Sequence, residues 1–314
     1  MVTTVGSGAY TFEAIEDWAK VPRDWRAPMA AVAVDSQDRV YGFNRGEHPV
    51  IVFDKNGEYL DSWGDGMFNF PHAIRTDSQD NIWIVDLGHG QIFKFTTAGQ
   101  LLMTIGNKGY RSDTGVDNTS TAYITFYNQV TRPGGPFNLP ADVAVSESGD
   151  LFIADGYANC QVHRFSPDGK HRYSWGAPGS GPGQFLLPHG IWIDRRGRVL
   201  VADRENNRVQ VFTQSGEFIT QWPAKLMGPA AFWVDNDDTV YMSEHHGGCF
   251  SVLTLDGELL ARWGSEKFKT CHSAAGDSEG SVYFVQPPSG ESGKGRRIVK
   301  YVRKVSSRTP LSLR

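Results

Sequence analysis

The chain has 314 residues, 39% hydrophobic and 21% charged, an ordinary globular composition with enough apolar material for a sizeable core. A net charge of −4 leaves no electrostatic footprint for nucleic acid, and no 18-residue apolar run exists to cross a membrane. Three cysteines (Cys160, Cys249 and Cys271) are too few and odd in number for a disulfide framework. The first residues, Met1 to Gly8, lack the basic and apolar regions of a secretory signal, so the expected compartment is the cytoplasm.

Residues 1–23 read as a lead-in whose stretch Tyr10 to Trp18 alternates like a strand. From 24 to 305 one phrase recurs: an apolar alternating run, Asp, a Gly or Asp turn, a second apolar run, an acidic or polar corner, a third strand, then a fourth ending near Trp-Gly. The copies are anchored at Asp35, Asp77, Ser146, Asp194, Asp235 and Asp277, with gaps of 42, 69, 48, 41 and 42 residues. Four of these match one four-stranded propeller blade, roughly 40–45 residues. The long gap carries a Gly-, Thr-, Asn- and Asp-rich insertion at 107–137, read as a loop on one face. The last blade is a strand short, and the N-terminal stretch supplies it. The fold expected is an all-β, six-bladed propeller closed by an N-terminal strand, with a tail at 306–314. The basic residues Arg296, Arg297, Lys300, Arg303 and Lys304 read as a solvated last strand and tail.

Five positions before each anchor stand Ala30, His72, Ala141, His189, Ala230 and His272. Equivalent positions in a closed propeller ring its axis, so histidine and alanine alternate there. Three imidazoles converge and three alanines leave room. That is a three-histidine metal site with an open position, the layout of a catalytic zinc, although imidazole also suits other divalent transition metals. The corners after the second strands form another ring and bring Arg45, Tyr157, Arg204, Glu205 and His246 toward it. Two arginines beside a Lewis acid make a carboxylate clamp, and Tyr157 near them is placed to serve as base. Asp86, Asp155 and Asp203 read as residues tying loop backbones together, and Asp142 as bonding a neighbouring loop. Arg204 and Glu205 have pairing across blades as their plainer role, and His245 and His246 a solvated loop. Arg164, Arg208, His48, His89, His163 and His171 read as surface residues.

The repeat resembles the NHL-repeat propellers and, more narrowly, the peptidyl-α-hydroxyglycine α-amidating lyases and their bacterial relatives. The segments that carry the resemblance are Asn44-Arg45-Gly46-Glu47-His48, Pro71-His72 to Phe95, Pro140 to Val145, Asp155-Gly156-Tyr157-Ala158-Asn159, and Gly183 through Pro188-His189 to Asn206. The resemblance implies zinc on His72, His189 and His272, a base at Tyr157, substrate-handling arginines at Arg45 and Arg204, and cleavage of an N-acyl α-hydroxyglycine to a primary amide and glyoxylate. The family's Met-Pro-His-Asp is Thr270-Cys271-His272-Ser273 here. Ser273 removes an aspartate of a structural calcium site, which makes calcium doubtful, and Thr270 alters the pocket floor. Ala158, Leu200 and Val211 stand where the family has disulfide cysteines, in keeping with a reducing compartment. His245 and His246 have no family counterpart, and with Glu205 and Thr270 they are the expected substrate contacts.

The expected activity is a zinc-dependent lyase acting, as a monomer, on a small molecule or short peptide, with neither nucleic acid nor membrane as partner. Two alternatives stay open: a metal-dependent hydrolase or hydratase on another small carboxylate-bearing substrate, and a non-enzymatic NHL binding module.

Overall fold

The anchor residue of each repeat builds the turn that starts its blade. In five repeats one carboxylate oxygen accepts the backbone N–H groups two and four residues on. Asp35, for example, takes Gln37 and Arg39, and Asp277 takes Glu279 and Ser281. The residue three beyond the anchor is left-handed in all six repeats: Asp38, Asp80, Gly149, Gly197, Asp238 and Gly280. Asp and Gly tolerate that conformation best, which is why the motif is legible. The other oxygen of Asp35, Asp77, Asp235 and Asp277 accepts the ring O–H or N–H of Tyr41, Trp83, Tyr241 and Tyr283 on the second strand.

The computed structural model describes residues 3–22, 25, 27–119, 123–265, 268–287 and 295–304. They form six antiparallel blades around one axis. The inner strands are Met29–Val34, Pro71–Thr76, Pro140–Val145, Pro188–Ile193, Pro229–Val234 and Ser273–Gly276, each packed on the next, the last on the first. Blades one to five run outward through four strands each. Blade six continues through Val282–Gln286 and Arg297–Arg303 to the N-terminal Tyr10–Ile15, as expected, and then to a further strand, Thr3–Ser7, that the repeat does not announce. The tail expected at 306–314 lies outside the described residues. No helix among them is long and apolar enough to cross a membrane.

Six apolar clusters fill the six blade–blade interfaces. Blades one and two, for instance, bury Ala31, Tyr41, Phe43, Ile74, Ile84 and Phe95 together. The tryptophan ending a fourth strand seals the next interface: Trp222 covers Gly257, where a Cβ would lie 2.2 Å from the indole and φ is +82°. Closure is apolar too. Phe12 is fully buried between blades five and six, its ring 5.2 Å from Trp263 and 6.3 Å from Tyr241.

Several residues expected at the surface are inside. His163 is fully buried against Asp155, 3.1 Å away, and Arg208, 8% exposed, reaches Asp203 at 2.9 Å and three carbonyls of the loop before blade four. Arg164 is half-buried against Asp150, His89 lies 2.7 Å from Asp86, and His48 stacks on Trp25. Lys300 is buried 3.1 Å from Asp277. In each case a carboxylate or an aromatic ring in an adjoining strand or loop draws the polar side chain inward, a partnership that single-column alternation does not reveal. Of the expected surface histidines, His171 is exposed.

Phe12→Ala is expected to cost about 3–5 kcal/mol, the usual range for a large aromatic lost from a core. Urea unfolding followed by tryptophan fluorescence checks this, and a loss under about 1 kcal/mol would show that the N-terminal strands do not clasp the ring.

Candidate metal and substrate site

The histidine–alanine ring exists, and a backbone device aims it. In blades one to five the inner strand slips register at the ring residue: Pro71 pairs with Asp86 and Ala73 with Val85, so His72 lies in a β-bulge, and likewise Ala30, Ala141, His189 and Ala230. A bulge turns a side chain off the sheet face, here to the axis. In blade six His272 immediately precedes the inner strand, its N–H bonded to Val285 O at 2.9 Å.

The alanines do more than leave room. His72 Nδ1 donates to Ala141 O at 2.6 Å, His189 Nδ1 to Ala230 O at 2.7 Å and His272 Nδ1 to Ala30 O at 2.8 Å. A carbonyl only accepts, so each ring is held as the Nδ1–H tautomer and the Nε2 lone pair faces inward. The ring centroids are 4.7–5.0 Å apart, and the three ligand atoms lie within 4.8 Å of one another. The side chains are 1–4% exposed, and burial holds all three histidines well below the usual imidazole range. Three neutral nitrogens with second-sphere carbonyl bonds fit a divalent transition metal with a further coordination position.

Beneath the ring the axis is filled. Arg75 of blade two makes a two-pronged pair with Asp142 of blade three at 3.0 and 2.5 Å and reaches Phe232 O of blade five, while Asp142 also accepts Ile191 N–H. The neighbouring loop that Asp142 was expected to bond is thus the inner strand of blade four, together with this guanidinium. Arg75 thus brings a protein cation to the axis, where Ser273 also lines the space beneath the ring.

Above the ring opens a chamber of about 520 Å3, walled by every residue singled out from the second-strand corners. Tyr157 is fixed by an apolar cluster with Leu87, Phe126, Leu139 and Leu187. Its hydroxyl lies 3.2 Å from His72 Nε2 and 3.1 Å from His189 Nε2, and accepts a 3.1 Å bond from Arg204 Nη1. Arg204 is held by Glu205 at 2.8 Å within the same corner, and the contact across blades is Glu205 to His246, 3.2 Å. Arg45 lies over Phe70 and donates to Pro71 O at 3.0 Å. His245 is half-buried. Burial, then Arg204, pushes it down to about 3. Thr270 adopts φ +77°, strained for a β-branched residue, and its N–H bonds His245 O. The insertion contributes a short 3-10 helix, Tyr123–Gln129, whose Thr125 and Tyr127 line the chamber. The repeat gave no sign of Arg296, which also lines it. Blade six has a longer second-to-third connection than the others, so counting along the corner does not reach this residue, and its basic neighbours favoured a solvated reading.

The NHL repeat model matches residues 137–165 and 185–212. Peptidylglycine alpha-amidating monooxygenase of Rattus norvegicus is 31% identical over 252 residues, 68% of this chain and 24% of that protein. Peptidyl-alpha-hydroxyglycine alpha-amidating lyase 1 of Drosophila melanogaster is 30% identical over 190 residues, 55% of this chain and 30% of that one. The chain thus spans about a quarter of the length of the rat relative. Among solved structures, a streptogramin B lyase superposes with a TM-score of 0.62 at 14% identity over 95% of this chain and all of that one, a likeness of fold. The chain carries NHL repeats and has homologues named amidating lyases at about 30% identity.

Two outcomes are expected. Asp142→Ala leaves Arg75 buried without its carboxylate and is expected to cost about 3–5 kcal/mol by urea unfolding. His245, neutral when folded and with a normal pKa near 6.5 when unfolded, contributes stability that is complete above about pH 6.5 and lost as pH falls from there toward 3, at up to about 1.4 kcal/mol per pH unit. Midpoints of thermal unfolding for His245→Asn should therefore fall less steeply than wild type between pH 6.5 and 5. Parallel slopes would refute the burial of a neutral imidazole.

Proposed function

We propose that the protein is a zinc-dependent lyase that cleaves the C–N bond of an N-acyl or peptidyl α-hydroxyglycine-like substrate, releasing an amide and glyoxylate. The observation that carries this reading is the Tyr157 hydroxyl, within hydrogen-bond reach of two site histidines and an arginine on the floor of a chamber sized for a small ligand. The names of the homologues support it. His72, His189 and His272 would hold the metal, which when bound supplies Lewis-acid polarisation of the substrate hydroxyl or carboxylate oxygen. Zinc is favoured by three neutral imidazoles and an open position.

Tyr157 relays a proton, taking that of the substrate hydroxyl as its own passes to the departing nitrogen. The oxygen's electrons form the aldehyde C=O of glyoxylate as the C–N bond breaks, and the departing nitrogen accepts that bond's electron pair and a proton, giving the primary amide. The reaction balances without water or a redox partner. Arg204, bonded to the Tyr157 oxygen, stabilises negative charge there, and Arg45 receives the substrate carboxylate with its planar fork. Glu205 orients Arg204 and His246. His245, His246 and Thr270 border the acyl portion.

Elemental analysis should find about one zinc per chain, lost in His189→Ala. Metal-loaded protein should release glyoxylate from α-hydroxyhippurate, and Tyr157→Phe should lower kcat about 10²–10⁴-fold with zinc retained. A zinc-loaded protein that releases no glyoxylate from any N-acyl α-hydroxyglycine overturns the reaction.

A further inference from the structure

Three guanidinium groups, those of Arg45, Arg204 and Arg296, face one chamber whose lining, among the described residues, carries a single carboxylate, Glu205. That carboxylate is engaged: Arg204 Nε lies 2.8 Å from it, and Arg204 Nη1 is on Tyr157. The other two arginines have no carboxylate partner among the described residues. Each is tethered through its Nε to a main-chain carbonyl, Arg45 to Pro71 O at 3.0 Å and Arg296 to Met29 O at 2.9 Å. Arg296 Nη1 also reaches Thr270 O at 3.4 Å. The tether points the rest of each fork at the chamber. The two cations feel each other: burial first, then Arg296, pushes Arg45 down to about 10. Such an arrangement is costly for the protein alone and is relieved by anions.

Building on the lyase reading, we propose that the physiological substrate is a dicarboxylate: a small N-acyl α-hydroxyglycine whose acyl group ends in a second carboxylate, received by Arg296. Arg45 serves the α-carboxylate next to the reacting carbon, and Arg296, entering from blade six beside Thr270 and His245, serves the far end. One arginine is enough for a monoanionic substrate. The second fork, which has no carboxylate partner among the described residues, selects against an uncharged acyl chain, because such a chain would leave that guanidinium desolvated and without an anion.

Unreactive analogues without the hydroxyl separate binding from turnover. Isothermal titration of the zinc-loaded protein with N-succinylglycine and N-butyrylglycine, which differ in the distal carboxylate, should show the dianion binding about tenfold or more tightly. Equal affinities in the wild-type protein overturn the proposal without need of any variant. Arg296→Met should shrink the ratio to about threefold or less, with Arg296→Lys intermediate because a point charge lacks the fork. If Arg296→Met weakens both ligands by the same factor, Arg296 serves the shared α-carboxylate and the proposal fails. The α-hydroxy forms of both compounds are then assayed for glyoxylate. A clear dianion preference in binding with no glyoxylate from either refutes the lyase reaction and leaves the dicarboxylate site standing. Glyoxylate from both with no preference does the reverse.

Discussion

Everything at the axis depends on one hydrogen bond made three times: the Nδ1–H of a site histidine to the carbonyl of the ring alanine in the next blade. It selects the tautomer, aims Nε2 inward and stitches blade two to three, four to five and six to one. The carbonyl is at hand because the bulge that turns the ring residue toward the axis interrupts the inner strand's ladder there. Histidine and alanine are therefore two halves of one arrangement, donor blade and acceptor blade. Burial follows from this: imidazoles kept neutral and hydrogen-bonded tolerate an interior that would penalise their charged forms.

Charge is layered along the axis around that neutral ring. Below it the Arg75–Asp142 pair brings equal and opposite charge, with one further donor met by Phe232 O and one further acceptor site by Ile191 N–H. Above it the described lining of the chamber carries three guanidinium groups and one carboxylate. Among the described residues the axis is filled below the ring and opens into the chamber above it. The 107–137 insertion adds Thr125 and Tyr127 to the same wall, so the one irregularity in blade spacing falls where the ligand would enter.

The fold was legible because its determinants are local. An anchor aspartate, a left-handed residue three later and an aromatic six later specify a hairpin within seven residues, and the hairpin recurs often enough to count. The histidine column was legible for the same reason, and the corner residues followed by counting from a fixed strand end. Legibility failed where the partner lies on an adjoining strand or loop, outside the column being read. Arg208 reads as a surface charge until Asp203 and the loop carbonyls are placed around it, and His163 until Asp155 is. Arg296 meets the chamber only through ring closure, from a connection whose length breaks the count. The carbonyl role of the alanines has no signature at all, since any residue supplies a carbonyl. The strand Thr3–Ser7 belongs to no repeat.

Blade six joins chain segments nearly 300 residues apart, and the same closure completes the histidine ring, because His272 bonds Ala30 O of the first blade. On a ribosome the first blades emerge long before the last. Until the last blade emerges the chain presents at most His72 and His189, and neither His272 nor the strand partner awaited by Tyr10–Ile15. Two imidazoles hold a metal far less firmly than three. The geometry therefore completes the three-imidazole cluster only when the circle closes, so its assembly is a timestamp on the final folding event.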